Sequence, residues 1–193
     1  MQTFNNNRSN RLPKILTQSS KSLLIGMMLA LVSVSACTSA NTNSKAMTDA
    51  NIAAIVVGAN NIDISAGKIA LKRSKNAQVR QFAQTMITDH TSVLEAAVAL
   101  VTKLGVTPVN NDLVATLAAQ SQQHEQHLNA LSGKAFDKAY IDHEVAYHQA
   151  VIGVIEKQLI PSAKNAELKA MLVSVLPAFR AHLDHCKMIQ SKI

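Results

Sequence analysis

The chain has 193 residues, 48% of them hydrophobic but only 3% aromatic, with no Trp, 6 Gly and 4 Pro, and 19 Lys+Arg against 12 Asp+Glu give a formal charge of +7. So little turn-forming and aromatic content argues against a multi-stranded sandwich or barrel, 2 Cys are too few for a disulfide framework, and abundant Ala, Leu, Lys and Gln favour helices. One domain is the default at this length, and the basic balance raises a nucleic-acid reading that must first be located along the chain.

Residues 1–21 are polar and carry Arg8, Arg11, Lys14 and Lys21 without an acidic residue; the apolar run Leu23–Val32 follows, and then small residues. That order is the order of a secretory signal, and the run falls short of the about 20 apolar residues that a spanning helix needs. Its end, Val34-Ser35-Ala36-Cys37, resembles the bacterial lipobox, which implies a diacylglycerol on Cys37 and cleavage just before it. Thr38-Ser39 follow with no Asp after the cysteine, and by the same resemblance the product belongs to the outer membrane of a Gram-negative cell, facing the periplasm. The alternative is an ordinary secreted protein cut after Ala36 or Ala40. The expected organisation is a signal at 1–36, a lipidated cysteine and flexible tether at 37–48, and a helical domain at 49–193. Removing 1–36 takes away four basic residues and leaves 15 basic against 12 acidic, a formal +3 (15 − 12). Most of the basicity is export signal, so the membrane is an expected partner through the anchor and nucleic acid is not.

From Thr48 onward apolar residues recur at spacings of three and four, as amphipathic helices require. The first stripe runs from Ile52 through Asp63 to Ala70, and the second from Val79 through His90 to Leu104. The third runs from Leu113 to Leu131, the fourth from Ile141 through His148 to Leu159, and the fifth from Leu168 through His182 to Ile193. Ser74-Lys75-Asn76 separates the first two helices and caps the second. Gly105 and Pro108 stop the second, and Asn110-Asn111-Asp112 opens the third. Ser132-Gly133 precedes the fourth, with Asp137 in its first turn; Ile160-Pro161-Ser162 ends it and Asn165 caps the fifth. Pro177 lies inside the fifth pattern, which continues in phase, so a kink is expected rather than an end. The string Ser74–Arg80 weakly repeats as Ala163–Lys169, each at the turn of a helical hairpin. Two hairpins joined by a helical crossover at 111–131 give an all-α, ferritin-like antiparallel bundle of four long helices.

Each long helix carries a potential ligand on its apolar stripe: Asp63, His90, His148 and His182. Counted from the hairpin turns, the two members of each hairpin sit within about 5 Å of the same height, so all four fall in one central layer. Such a layer suits a metal site for zinc, copper or iron, with Asp89, Glu144 and Cys186 as extra candidate ligands; neutral imidazoles with one carboxylate favour zinc or copper over magnesium. It equally suits a buried polar network that satisfies its own hydrogen bonds. The paired Glu-x-x-His motifs and further glutamates of di-iron bundles are missing. His124 with His127, and His182 with His185, are further pairs at helical spacing that read as surface or stripe histidines. Cys186 reads as a small buried hydrophobe, and the basic run Lys68–Lys75 as a solvated helix end favourable to the helix dipole. No phosphate-binding glycine loop or nucleophile elbow is present, so no catalytic residue is assigned.

Gly67-Lys68-Ile69-Ala70, Val79-Arg80-Gln81-Phe82-Ala83, Met86-Ile87-Thr88-Asp89-His90 and Leu131 through Ile141, followed by His148-Gln149, Leu176-Pro177 and His182, together resemble the bacterial family called domain of unknown function 4142 (DUF4142). The resemblance runs from about residue 49 to 189. It implies a ferritin-like helical protein exported to the envelope and brings no activity with it. The family pattern commonly has Glu where this chain has Asp63, one methylene shorter. The leading functional expectation is a non-enzymatic envelope protein with a structural or stress-related interaction role. The alternative is a periplasmic protein that sequesters a metal on the central Asp/His cluster.

Overall fold

The structure, a computed structural model, describes residues 47–193. The export signal, Cys37 and nearly all of the 37–48 tether lie outside the described residues. Within them the expected all-α class is borne out: there are five helices and no strand. These are α1 (Asp49–Arg73), α2 (Ala77–Lys103), α3 (Asp112–Ala130), α4 (Gly133–Val154) and α5 (Ala166–Gln190). α4 runs on through one π-helical turn, Ile155–Leu159, and a last α-helical turn, Ile160–Ser162. The π turn itself contains no Gly or Pro; Gly153 lies two residues before it and Pro161 two residues after it.

Side-chain caps set most of the boundaries. Thr48 and Asn51 form a reciprocal capping box at the start of α1. The Asn76, Asn111 and Asn165 side chains accept from the first free backbone N–H groups of α2, α3 and α5. Gly105 and Gly133 take φ of 64° and 57°, the left-handed region where a side chain is strained. α5 continues through Pro177 to Gln190, with Pro177 on its exposed side.

α1 packs most extensively on α2, and α4 on α5; α2 also meets α5, while α3 lies chiefly against α1. Polar ties lock the ends. The Asp49 carboxylate accepts from the backbone N–H groups of Lys164 and Asn165 at 2.8 and 3.0 Å, joining the start of α1 to the α4–α5 turn. Asp137 lies beyond the first turn of α4, buried, and accepts a 2.5 Å bond from the Ser74 hydroxyl. Arg73 is not merely solvated: its guanidinium donates to Asn129 at 2.8 Å and to the Leu131 carbonyl at 2.5 Å, 5.1 Å over the Phe136 ring.

The core falls into two apolar clusters. One gathers Ile52, Ile55, Leu159, Leu172 and Phe179, the other Phe82, Met86, Phe136, Tyr140 and Ile189. α1 and α2 approach closely at Gly67, where a Cβ would stand 3.0 Å from Ile87 Cγ1 and 3.1 Å from the Ala83 carbonyl oxygen. Gly67→Leu is therefore expected to cost about 1–3 kcal/mol by overpacking, read as a lower urea midpoint; in Gly67→Ala, a helix-propensity gain of about 1 kcal/mol offsets the tighter contact.

Candidate metal centre

Between the two apolar clusters lies a layer of buried polar side chains: Asp63 from α1, His90 from α2, Glu144 and His148 from α4, and His182 from α5, none more than 5% exposed. The spacing that placed them at one height in the sequence holds in space. The three imidazole centroids are 5.7, 5.4 and 5.5 Å apart, taking His90–His148, His90–His182 and His148–His182. One nitrogen of each lies within 4.8 Å of one nitrogen of the other two. Phe179 closes one side, 5.0 Å from the His90 ring.

In every ring one nitrogen is engaged by an acceptor, and that fixes the tautomer. Asn60 donates its amide N–H to the Val56 carbonyl at 2.8 Å, so its Oδ1 faces His90 Nδ1 at 2.9 Å as an acceptor. His148 Nδ1 donates to the Glu144 carbonyl of its own helix at 3.0 Å. His182 Nε2 donates to the Asp89 carboxylate at 2.9 Å. The engaged nitrogens carry the protons, which leaves His90 Nε2, His148 Nε2 and His182 Nδ1 as the ring nitrogens turned away from those acceptors. Those three atoms are buried and have no hydrogen-bond partner among the described residues. Burial first, and the neighbouring imidazoles second, hold His90 down to about 2; burial also brings His148 down to about 4. Neither ring is protonated at neutral pH.

A second group adjoins the first. Asp63, Glu144 and His148 each offer a ligand atom within 4.8 Å of the others, and Asp63 lies 3.5 Å from His90 Nδ1. Burial, then the Glu144 charge, raises the Asp63 carboxyl well above the usual carboxylate range; burial pushes Glu144 up to about 8. Neither Glu144 oxygen reaches hydrogen-bond geometry with a donor among the described residues, nor does the neighbouring Tyr140 hydroxyl, although Tyr140 and Asp63 both stand close to that carboxyl. A buried carboxyl left this way costs about 1–3 kcal/mol. Glu144→Met, of similar volume, is expected to raise the melting temperature of the metal-free protein accordingly. A lower melting temperature would mean that the carboxyl is held by bonds it does not show here.

The sequence candidates therefore divide. Asp63, His90, His148, His182 and Glu144 come together. Asp89 stands behind His182 as its orienting acceptor, half-exposed. Cys186 does not join them: it is a buried free thiol in the second apolar cluster, donating to the Leu183 carbonyl at 3.2 Å, with burial pushing it up to about 12. Sequence reasoning passed over Asn60, which sits three residues before Asp63 on the same stripe. It also passed over His143, whose ring stacks on His124 at 3.5 Å and 12°, so His124 is not a plain surface histidine.

Chemically, three imidazoles on three helices, each oriented by an acceptor on its far nitrogen, turn three unpartnered ring nitrogens toward one another. That is the arrangement of metal-ligating histidines and their supporting groups. A closed tetrahedral zinc site brings ligand nitrogens to about 3.4 Å of one another, so the rings need to draw in slightly to share one ion. The family model of DUF4142, a domain of unknown function, matches residues 34–189. No curated protein and no solved structure matches the chain.

Proposed function

The chain belongs to the DUF4142 family, whose description carries no activity, and from that premise we propose on the chemistry of the central layer that it binds a transition metal ion, zinc or copper before iron, for sequestration rather than catalysis. His90, His148 and His182 are the ligands. Asp63 and Glu144 adjoin as carboxyls able to compensate the charge, and Asn60 and Asp89 orient the rings. We read the five helices as a ferritin-like bundle of four long helices with α3 as the crossover. Export, and an anchor at Cys37 on the periplasmic side of the outer membrane, complete the proposal; both rest on the sequence pattern of residues 1–37.

The observation that carries this reading is the set of three buried imidazole nitrogens without a hydrogen-bond partner among the described residues. It also weighs against the structural and interaction role, since a network kept for fold specificity closes its hydrogen bonds. The test is metal analysis of the purified protein followed by zinc and copper titration of the metal-free form. One equivalent should bind and raise the melting temperature, by about 2.7 kcal/mol of added stability at a hundredfold excess over Kd. Absence of stoichiometric metal together with no melting shift overturns the proposal. Cys37→Ala should move the protein from the membrane to the soluble fraction; retention in the membrane counts against the anchor.

A further inference from the structure

A cavity of about 900 Å³ lies between α1, α3, α4 and α5, beside the histidine layer and sharing Asn60 and Phe179 with its surroundings. That is the upper part of the range for small-molecule pockets. Three features describe what it can hold.

First, no Asp, Glu, Lys or Arg lines it among the described residues. An ionised group carried inside would lose its hydration with no counter-charge in the wall, a cost that excludes a buried carboxylate or phosphate. Second, the cavity is elongated and graded. Along α3 its lining runs from Leu113 to His127, about 21 Å at the helical rise. The Leu113 end meets Leu159 and Leu172, whereas the other end carries His124, His143 and Tyr147. The π-helical turn belongs to the apolar end, and its two buried residues, Ile155 and Leu159, both line the space; π turns recur at functional sites. Third, the polar end has unmet hydrogen bonds. His124 Nε2 and His143 Nε2 are buried without a partner on stacked rings. A hydroxyl, which donates and accepts, satisfies either tautomer of either ring.

We propose that this cavity is a binding site for an uncharged single-chain amphiphile, a long acyl chain bearing a hydroxyl-rich head of the monoacylglycerol kind. The chain lies along α3 toward the π turn, and the head meets the buried Nε2 atoms of His124 and His143, inside the rim formed by exposed Gln120, Gln123 and His127. This site uses none of the three metal ligands, so it stands or falls separately from the metal reading.

The probe is monoolein, added to the purified full-length protein and followed by displacement of Nile red fluorescence and by native mass spectrometry. Saturable binding at one per chain is expected, with oleate at pH 8 at least tenfold weaker because its head is charged. Val151→Trp, which places an indole in the cavity from α4, should weaken monoolein at least tenfold while leaving zinc titration of the histidine layer unchanged. Leu117→Trp does the same from α3 and serves as the second variant should the first fail to fold. His124→Phe should keep Nile red binding but lose the preference for monoolein over oleate. The proposal is overturned if monoolein shows no saturable binding, if oleate binds equally well, or if both tryptophan variants fold and still bind the lipid at wild-type strength.

Discussion

Replacing His148 with alanine is expected to weaken zinc binding on the order of a hundredfold. Structural zinc sites draw about 10–16 kcal/mol from roughly four ligands, so one ligand carries on the order of 3 kcal/mol, or about two decades in Kd. His148 is the most informative choice because it belongs to both groups, the imidazole triad and the Asp63–Glu144 pair. The variant leaves the Glu144 carbonyl to its helix, so the backbone has little reason to change. Asn60→Ala gives the graded comparison. It frees the far nitrogen of His90 without removing a ligand, and a loss of about 10–100-fold is expected from such a supporting group. Competition titration against a chelator measures both. If His148→Ala and the wild type bind zinc equally, the metal lies elsewhere in the chain.

The metal-free protein is expected to be most stable near pH 6.5 and to lose stability on either side. Four histidines, His90, His124, His143 and His148, are held below the ordinary value, to about 2, 4, 4 and 4, by burial before any other cause. As pH falls through about 6.5 the unfolded chain takes up protons that the folded chain refuses, so stability drops down to about pH 4. Glu144, pushed up to about 8, and Asp63, also raised, act in the opposite sense. The folded state keeps their protons after the unfolded chain has released them, so their contribution is complete below the unfolded carboxylate pKa and is lost as pH rises through about 8. Below pH 6.5 the four histidines outweigh the two carboxyls, although His124 and His143, partly open to solvent, count for less than their shifts. The net slope is on the order of 1 kcal/mol per pH unit, rising toward pH 6.5 and falling beyond it. Urea melts from pH 4.5 to 9 after chelation measure it, and a flat profile from 5 to 8 would mean that water reaches the layer.

How far the site was legible depends on what carried each part of it. Asp63, His90, His148 and His182 stood out because helical spacing places them on apolar stripes, where an ionisable side chain is costly. Their common height followed from counting residues to the hairpin turns. The tautomers did not follow, because the acceptors that set them include the backbone carbonyl of Glu144 and the amide orientation of Asn60, neither of which has a signature in the residue order. His143 lies off the fourth stripe, between Ile141 and Val145, and its stacking partner His124 is on the crossover; periodicity fixes a helix face but not where a crossover comes to rest. Asp89 was legible as an extra candidate ligand but not as the acceptor of His182, because the residue order does not say which neighbouring helix it faces. The π turn was invisible for a related reason: an apolar stripe continues in near phase through one inserted residue.

α3 has a single fully buried side chain, Leu128, whereas α1 buries residues along its whole length. A helix held so lightly by its own contacts can open without the rest of the domain, at a free energy well below that of global unfolding. Its backbone amides should then exchange with solvent deuterium as one cooperative group, ahead of those in α1 and α2. The same opening uncovers one wall of the neighbouring interior space, so whatever lies inside gains a second route to solvent each time that helix lifts.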